Sequence, residues 1–243
     1  MITQVKALLA GQVELTDAAA DKLLAYHKLL LEWNEKMDLT NVPEEEMAVR
    51  HYADSLLPLA RAEWFPQGAK LIDVGTGAGF PGMMLAIARE DLKVTLLDSQ
   101  RKRCDFLQAV ADALGLKNVT VLHARAEDGA RGVMRETMDI AVARAVAPLN
   151  VLAEYLLPYV EVGGRMLCWK GPAVRDELQA GERACAMLGG KAEGLVRLPI
   201  EGREHYVHST VKTAPTARRY PRKSGTPSKD PLGLPAKNEE KSK

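Results

Sequence analysis

A chain of 243 residues is one to two domains at roughly 100–200 residues each, which excludes a disulfide-stapled mini-protein and leaves room for a sizeable core. Hydrophobic residues make up 47% and charged residues 27% of it, near the globular averages of about 45–50% and 25%, so a mostly disordered or fibrous chain is excluded too. The net charge of +1 is unevenly spread: from Arg203 onward ten Lys/Arg face four Asp/Glu, so a basic tail follows a mildly acidic body.

Such a strip suits a phosphate-rich polymer, since displacing counterions rewards local positive charge, and it serves equally as a solubilising tail. Cys104, Cys168 and Cys185 lack CxxC spacing and the histidine or acidic company that zinc needs. A reduced, cytoplasmic protein with no metal is therefore expected. No leader pattern opens the chain and no apolar run approaches about 18 residues, so no membrane association is expected.

In chain order, Leu23, Leu24, Leu30, Leu31 and Trp33 recur at helical spacing between Leu15 and Lys36, behind a Thr16-Asp17 cap. A second helix over 44–62 opens after Pro43 with three glutamates, which suit the positive end of the helix dipole. His51 and Asp54 lie three apart on it and are read as packing or capping, not catalysis. The pattern then changes. Short apolar strands are expected at 70–74, 94–98, 119–123, 139–143 and 165–169. Helices are expected over 81–89, up to 114, 149–160 and 174–188, and a loop after the third strand. Near-continuous apolar strands alternating with helices imply a parallel sheet covered on both faces. Segments 194–200 and 205–213 have no helix between them and predict an antiparallel pair, bringing the strands to seven. Beyond Thr213, Pro215, Pro221, Pro227, Pro231 and Pro235 exclude a sustained helix or a central strand, and residues from Lys237 onward read as frayed.

The chemistry concentrates at Asp73-Val74-Gly75-Thr76-Gly77-Ala78-Gly79-Phe80-Pro81-Gly82, between the first strand and its helix, where a doubly wound sheet binds its ligand. Gly75, Gly77 and Gly79 allow positive φ and a ligand's close approach to the backbone. Residues 77–82 match the dinucleotide pattern GxGxxG, a weak signal alone. Against a pyrophosphate stand Pro81, which has no N–H, and the carboxylate of Asp73, which repels an anion. S-adenosylmethionine, carrying an ammonium and a sulfonium and no phosphate, fits that charge better. Asp98, at the end of the second strand, is placed to accept ribose hydroxyls. Ala126-Glu127-Asp128, after the third strand, lies where an adenine edge would sit.

These residues resemble a known family. The glycine turn, Leu96-Leu97-Asp98-Ser99 and Ala143-Arg144-Ala145 are similar to the bacterial 16S ribosomal RNA methyltransferases called RsmG or GidB. Trp33-Asn34, Leu39-Thr40, His51-Tyr52-Ala53-Asp54-Ser55-Leu56, Trp169-Lys170-Gly171 and Tyr220-Pro221-Arg222-Lys223 continue the resemblance in order along nearly the whole chain. It implies an α/β class I Rossmann-like methyltransferase, with a mostly parallel seven-stranded sheet, helices on both faces and an N-terminal helical extension. It implies methyl transfer from S-adenosylmethionine to N7 of the guanosine at position 527 of 16S ribosomal RNA, free or within a 30S particle. Donor contacts are implied at Gly75, Phe80, Ala126, Glu127 and Arg144; Gly77, Gly79 and Asp98 join them from the turn and strand-end argument. The chain then divides into a helical extension (1–66), a donor-binding domain (67–213) and a basic proline-rich tail (214–243).

Guanine N7 carries a free lone pair and no proton, so positioning and not a general base should dominate, and no catalytic side chain is expected. Residues 142–148 lack the Asn/Asp-Pro-Pro-aromatic signature of exocyclic-amine methyltransferases. Cys168, inside an apolar strand, reads as packing and not as a nucleophile. His123, His205 and His208 read as structural. RNA contacts are expected from Arg144, Lys170, Arg197, Arg203, Arg218, Arg219, Arg222 and Lys223, with Tyr220 as a stacking face. Two rivals stand: an NAD-dependent oxidoreductase, for which no Tyr-Lys pair is found near a strand end, and a donor-binding, RNA-associated protein without catalysis.

Overall fold

The computed structural model describes residues 1–144 and 147–235; Ala145, Val146 and the tail from Ala236 onward, including the stretch read as frayed, lie outside the described residues. Thr16 caps α2 (Asp17–Asn34) by accepting from the Ala19 N–H at 3.1 Å, as its position before the apolar stripe predicts. A shorter helix, α1 (Ile2–Leu9), precedes it and is not among the expected elements, although Val5 and Leu9 are buried. The second helical stretch is irregular. α3 (Glu44–Met47) runs into a π-helical segment, Ala48–Ala53, then α4 (Asp54–Leu56) and a 3₁₀ turn, Leu57–Ala60.

The sheet is built from β1 (Lys70–Val74), β2 (Lys93–Asp98), β3 (Val119–His123), β4 (Met138–Arg144), β5 (Val160–Lys170), β6 (Gly190–Arg197) and β7 (Tyr206–Lys212), in the order β3-β2-β1-β4-β5-β7-β6. The first five are parallel, and β7 runs antiparallel to both β5 and β6. Helices α5 (Gly82–Ala88), α6 (Arg101–Ala113), α8 (Leu149–Leu156) and α9 (Val174–Met187) connect the strands. The expected loop after β3 contains one turn of helix, α7 (Ala126–Gly129).

Side-chain alternation along the strands divides the core. Leu71, Ile140, Val142, Leu167 and Trp169 pack with the N-terminal helices and α5, while Ile72, Val74, Ala141, Ala143, Met166 and Cys168 pack with α8 and α9. Burial on both faces explains why these strands read as continuous apolar runs. The N-terminal helices therefore share one core with a sheet face.

The proline-rich tail lies along the second face as a strap. Arg135 donates to the carbonyls of Thr216 and Tyr220 at 2.6 and 2.7 Å, and Arg131 to that of Pro221 at 3.2 Å. Asn150 donates to the Leu232 carbonyl at 2.8 Å. One four-residue helix, α10 (Thr226–Lys229), does form there; Pro227 sits in its first turn, where a missing N–H costs nothing. Lys212, at the end of β7 just before the tail, is fully buried and donates to the carbonyls of Leu157 and Val160 and to Thr216 Oγ1.

Candidate active site

Strand order reverses between β1 and β4, and the site lies at their carboxyl ends. Two adjoining cavities sharing Gly75 and Ser99 open there. One, of about 440 Å³, is lined by Gly75–Ala78, Phe80, Asp98, Ser99, Arg103, Arg144, Leu39 and His51. The other, of about 170 Å³, is lined by Val74, Leu97, Ala124, Arg125, Ala126, Glu127 and Tyr155.

The turn is held from beneath. Asp73 is fully buried, and its Oδ2 accepts from the Thr76 hydroxyl at 2.7 Å and the Gly82 N–H at 2.8 Å. A Cβ on Gly82 would fall 2.7 Å from that oxygen, so close approach requires glycine here. Burial lifts the Asp73 carboxyl to about 6, against the pull of those two hydrogen bonds, and its Oδ1 has no partner. Asp73 thus anchors the turn from below instead of facing a ligand directly, which corrects the expectation of a carboxylate at the ligand's surface. Gly77, at φ +60°, faces the larger cavity, and a Cβ there would meet nothing within 4 Å. Gly79 is different: a Cβ at that position would meet Met83 at 2.7 Å and Leu107 at 3.1 Å, so its small size serves helix packing.

Asp98 is 2% exposed. Its Oδ2 accepts from the Gly77 N–H at 3.0 Å, its Oδ1 from the Gln100 N–H at 2.8 Å, and Arg103 lies 3.6 Å away. It therefore ties β2 to the turn as well as lining the cavity. Asp98→Asn is expected to weaken S-adenosylmethionine binding about tenfold in calorimetry and to cost about 1–3 kcal/mol of stability through the lost charge-assisted bonds. Unaltered affinity would remove Asp98 from the site.

Phe80 is the meeting point with the N-terminal helices. The His51 ring stacks on it at 4.3 Å between centroids, and the Arg144 guanidinium lies over it at 5.0 Å. Arg144 donates to the Arg50 carbonyl at 2.9 Å, to Asp54 Oδ2 at 3.1 Å and to His51 Nδ1 at 3.1 Å. His51 and Asp54 do not pair with each other; both hold Arg144. Because Nδ1 faces a guanidinium donor it must accept, which puts the ring proton on Nε2, donating to Thr40 Oγ1 at 2.7 Å. Asp54 Oδ1 takes His205 Nδ1 at 2.5 Å, so a histidine read as structural closes the network. Asn34 shapes the loop that delivers Leu39 and Thr40, accepting from both their N–H groups at 2.9 and 3.0 Å.

Burial, then the charge of Arg144, depress His51 from 6.5 to about 3. The unfolded chain takes up this proton below 6.5 and the folded chain only near 3, so this contribution is complete above 6.5 and is lost as pH falls toward 3. Asp73, raised to about 6, acts in the opposite sense over the same window. Urea midpoints compared between about pH 7 and about pH 4 should therefore fall less in His51→Asn than in the parent chain; equal slopes would exclude His51 as the source.

The remaining expected site residues divide. Ala126 and Glu127 wall the smaller cavity, with Glu127 4% exposed and its Oε1 accepting from the Gly225 N–H at 2.7 Å. Arg197, Arg218, Arg219 and Lys223 are exposed, and Arg203 is half-buried beside His205. Lys170 is buried against Glu177 at 2.6 Å and the Ala147 carbonyl, and Arg222 forks onto the buried Glu154 at 2.8 Å and reaches Asp230 at 3.0 Å. Neither presents a free charge, because each neutralises a carboxylate of the fold. Tyr220 is 5% exposed with Arg219 over its ring, which corrects its reading as a stacking face. Cys168 is fully buried and its thiol pushed well up by burial, in keeping with packing. Leu39, Ser99, Arg103 and Tyr155 line the site without being among the expected residues, and His51 does more than pack. Leu39, Ser99 and His51 sit inside motifs singled out above; Arg103 and Tyr155 carry no local signal.

The residues fit a methyl donor: an unobstructed glycine turn and the Asp98 carboxylate suit a cationic ligand, while Arg103 and Arg144 suit a carboxylate. Sheet order, turn and strand-end acid together define the class I Rossmann-like methyltransferase fold. Among solved structures, a mutant of MtNAS in complex with S-adenosylmethionine aligns with a TM-score of 0.54 at 16% identity, covering 87% of this chain and 88% of that one. A mutant of the 16S rRNA (adenine(1408)-N(1))-methyltransferase from Catenulisporales acidiphilia aligns at 0.50 and 18% identity, covering 61% and 87%. These likenesses bear on the fold.

The family follows from sequence similarity. The family model GidB, described as rRNA small subunit methyltransferase G, matches residues 19–206. The Ribosomal RNA small subunit methyltransferase G of Alkaliphilus metalliredigens (strain QYMF) is 47% identical over 220 residues, 89% of this chain and 92% of the relative. That of Clostridium perfringens (strain 13 / Type A) is 44% identical over 223 residues, 90% and 93%. The chain belongs to the GidB family of rRNA methyltransferases. Among the described residues no helix is long and apolar enough to cross a membrane, and no group of three or more side chains is arranged to hold a metal.

Proposed function

We propose that the enzyme uses S-adenosylmethionine to methylate N7 of the guanosine at position 527 of 16S ribosomal RNA, in the cytoplasm, with the RNA free or within a 30S particle or assembly intermediate. The observation that carries this reading is the pair of cavities joined at Gly75 and Ser99 beside the Arg144–His51–Asp54 network. The adenosine would occupy the smaller cavity, walled by Ala126 and Glu127, with Asp98 and Ser99 at the ribose. The methionine end would lie over Gly75–Ala78 between Arg103 and Arg144. When bound, the donor supplies a methyl group on a positively charged sulfur.

The protein's part is placement. Phe80, with the His51 ring stacked on it and the Arg144 guanidinium over the same side, gives the larger cavity a flat wall, and Leu39 lines that cavity as well. His51 is neutral with its Nδ1 lone pair engaged by Arg144, so it is a positioning group and takes no proton, as a nucleophilic N7 requires none. Holding N7 about 3–3.5 Å from the methyl carbon is the main source of rate. Exposed Arg197, Arg218, Arg219 and Lys223 serve as phosphate contacts, joined by Arg125, which is exposed as well and lines the smaller cavity.

Purified protein, S-adenosylmethionine and either 30S particles or free 16S RNA decide the reading, with methylated nucleosides mapped by mass spectrometry. 7-Methylguanosine at position 527 is expected on one or both RNAs, and the comparison of the two identifies the substrate form. Donor binding without transfer to either RNA would favour the non-catalytic alternative, and transfer to another base would displace the target.

A further inference from the structure

The strap makes contacts that its composition does not suggest. Glu127 and Tyr155 stand side by side in the wall of the smaller cavity, and each is held by a tail residue. The Gly225 N–H donates to Glu127 Oε1 at 2.7 Å, and the Tyr155 hydroxyl meets Ser228 Oγ at 2.6 Å. Between them Arg222 fixes the strap by its fork on Glu154, the residue preceding Tyr155, with its own N–H donating to Glu154 Oε1 at 2.7 Å.

The wall needs this help. α7 is four residues long with no side-chain cap at its start, too short to hold its own shape. Its first carbonyl, at Ala126, accepts from the buried Tyr159 hydroxyl at 2.6 Å, and the Glu127 side chain is held from the tail. Gly225 has a left-handed φ of +82°, which aims its N–H at Glu127.

We propose that the strap braces a wall of the donor site from behind, with Gly225 and Ser228 acting as positioning residues through Glu127 and Tyr155, so that the tail sets affinity for the adenosine half of the methyl donor. This rests on the donor-site reading given above. Linkage makes the effect mutual: if the strap raises affinity for the donor, the bound donor stiffens the strap by the same factor. The segment whose charge suggests an RNA arm or a solubilising tail thus has a further task, carried by its uncharged residues.

The test uses the full chain and S-adenosylhomocysteine as probe. In Gly225→Ala a side chain is forced into the left-handed region, but its Cβ meets nothing within 4 Å, so the strain falls on the strap and not on the core. Its dissociation constant for S-adenosylhomocysteine should rise about tenfold, with affinity for 16S RNA altered less than about twofold. Ser228→Ala, at an exposed position, should raise it about threefold and serves should the first variant fail to fold. In the parent chain, amide exchange over 222–230 should slow when the probe binds, and slow less in either variant. Equal probe affinity in the parent and both variants, or loss of RNA affinity alone, would overturn the proposal. Failure of the parent chain to bind the probe would instead overturn the donor-site reading itself, and this inference with it.

Discussion

Asp54→Ala is expected to destabilise the protein by about 3 kcal/mol, lowering Tm by about 6–12 °C, and to abolish most donor binding. Asp54 is fully buried and its two oxygens are divided between Arg144, at 3.1 Å, and His205, at 2.5 Å. Removing it leaves a largely buried guanidinium with only the neutral His51 ring and one carbonyl for company. An uncompensated buried charge costs more than the pair was worth. Arg144 then has reason to swing away from Phe80, and the larger cavity loses a wall. Urea unfolding measures the first effect and calorimetry with S-adenosylmethionine the second. A loss below about 1 kcal/mol would mean that water replaces the carboxylate there.

Arg222→Ala should be comparably damaging, again about 3 kcal/mol, and the loss should appear in unfolding before any RNA is added. Its partner Glu154 is fully buried and accepts from the Arg222 backbone and from two side-chain nitrogens. Without the guanidinium a buried carboxylate on α8 is left with only the residue-222 N–H as partner. Combining the change with Glu154→Ala should cost markedly less than the two losses added, because neither charge is then left alone. Strict additivity in that cycle would show that the two groups do not interact.

The strands, the antiparallel ending and the glycine turn are legible in the sequence because each is a local pattern. Apolar runs at 70–74 and 94–98, glycines at 75 and 77, and an acid ending β2 need no knowledge of distant residues. What escapes is set by contacts across the chain. Arg222 looks solvated among prolines and lysines, and only the fold brings it to Glu154, 68 positions earlier. Lys212 and Lys170 mislead in the same way, since a buried lysine and an exposed one have the same letter. Asp73 shows the converse: its place beside the turn is plain from the strand it ends, but whether it points into the cavity or beneath it depends on Thr76 and Gly82 closing over it.

The π-helical stretch at Ala48–Ala53 explains how one short helix serves Arg144 with three consecutive kinds of acceptor: the Arg50 carbonyl, the His51 ring and the Asp54 carboxylate. A widened turn holds one residue more than a regular one. Deleting that residue would tidy the spiral, yet each position beyond would rotate by about 100° around the axis. Asp54 would then turn away from β4, and the Trp169 indole would lose the Asp54 carbonyl it now reaches at 2.8 Å. The surplus residue phases everything downstream of it, so the irregularity is the dimension along which this family member tolerates no shortening.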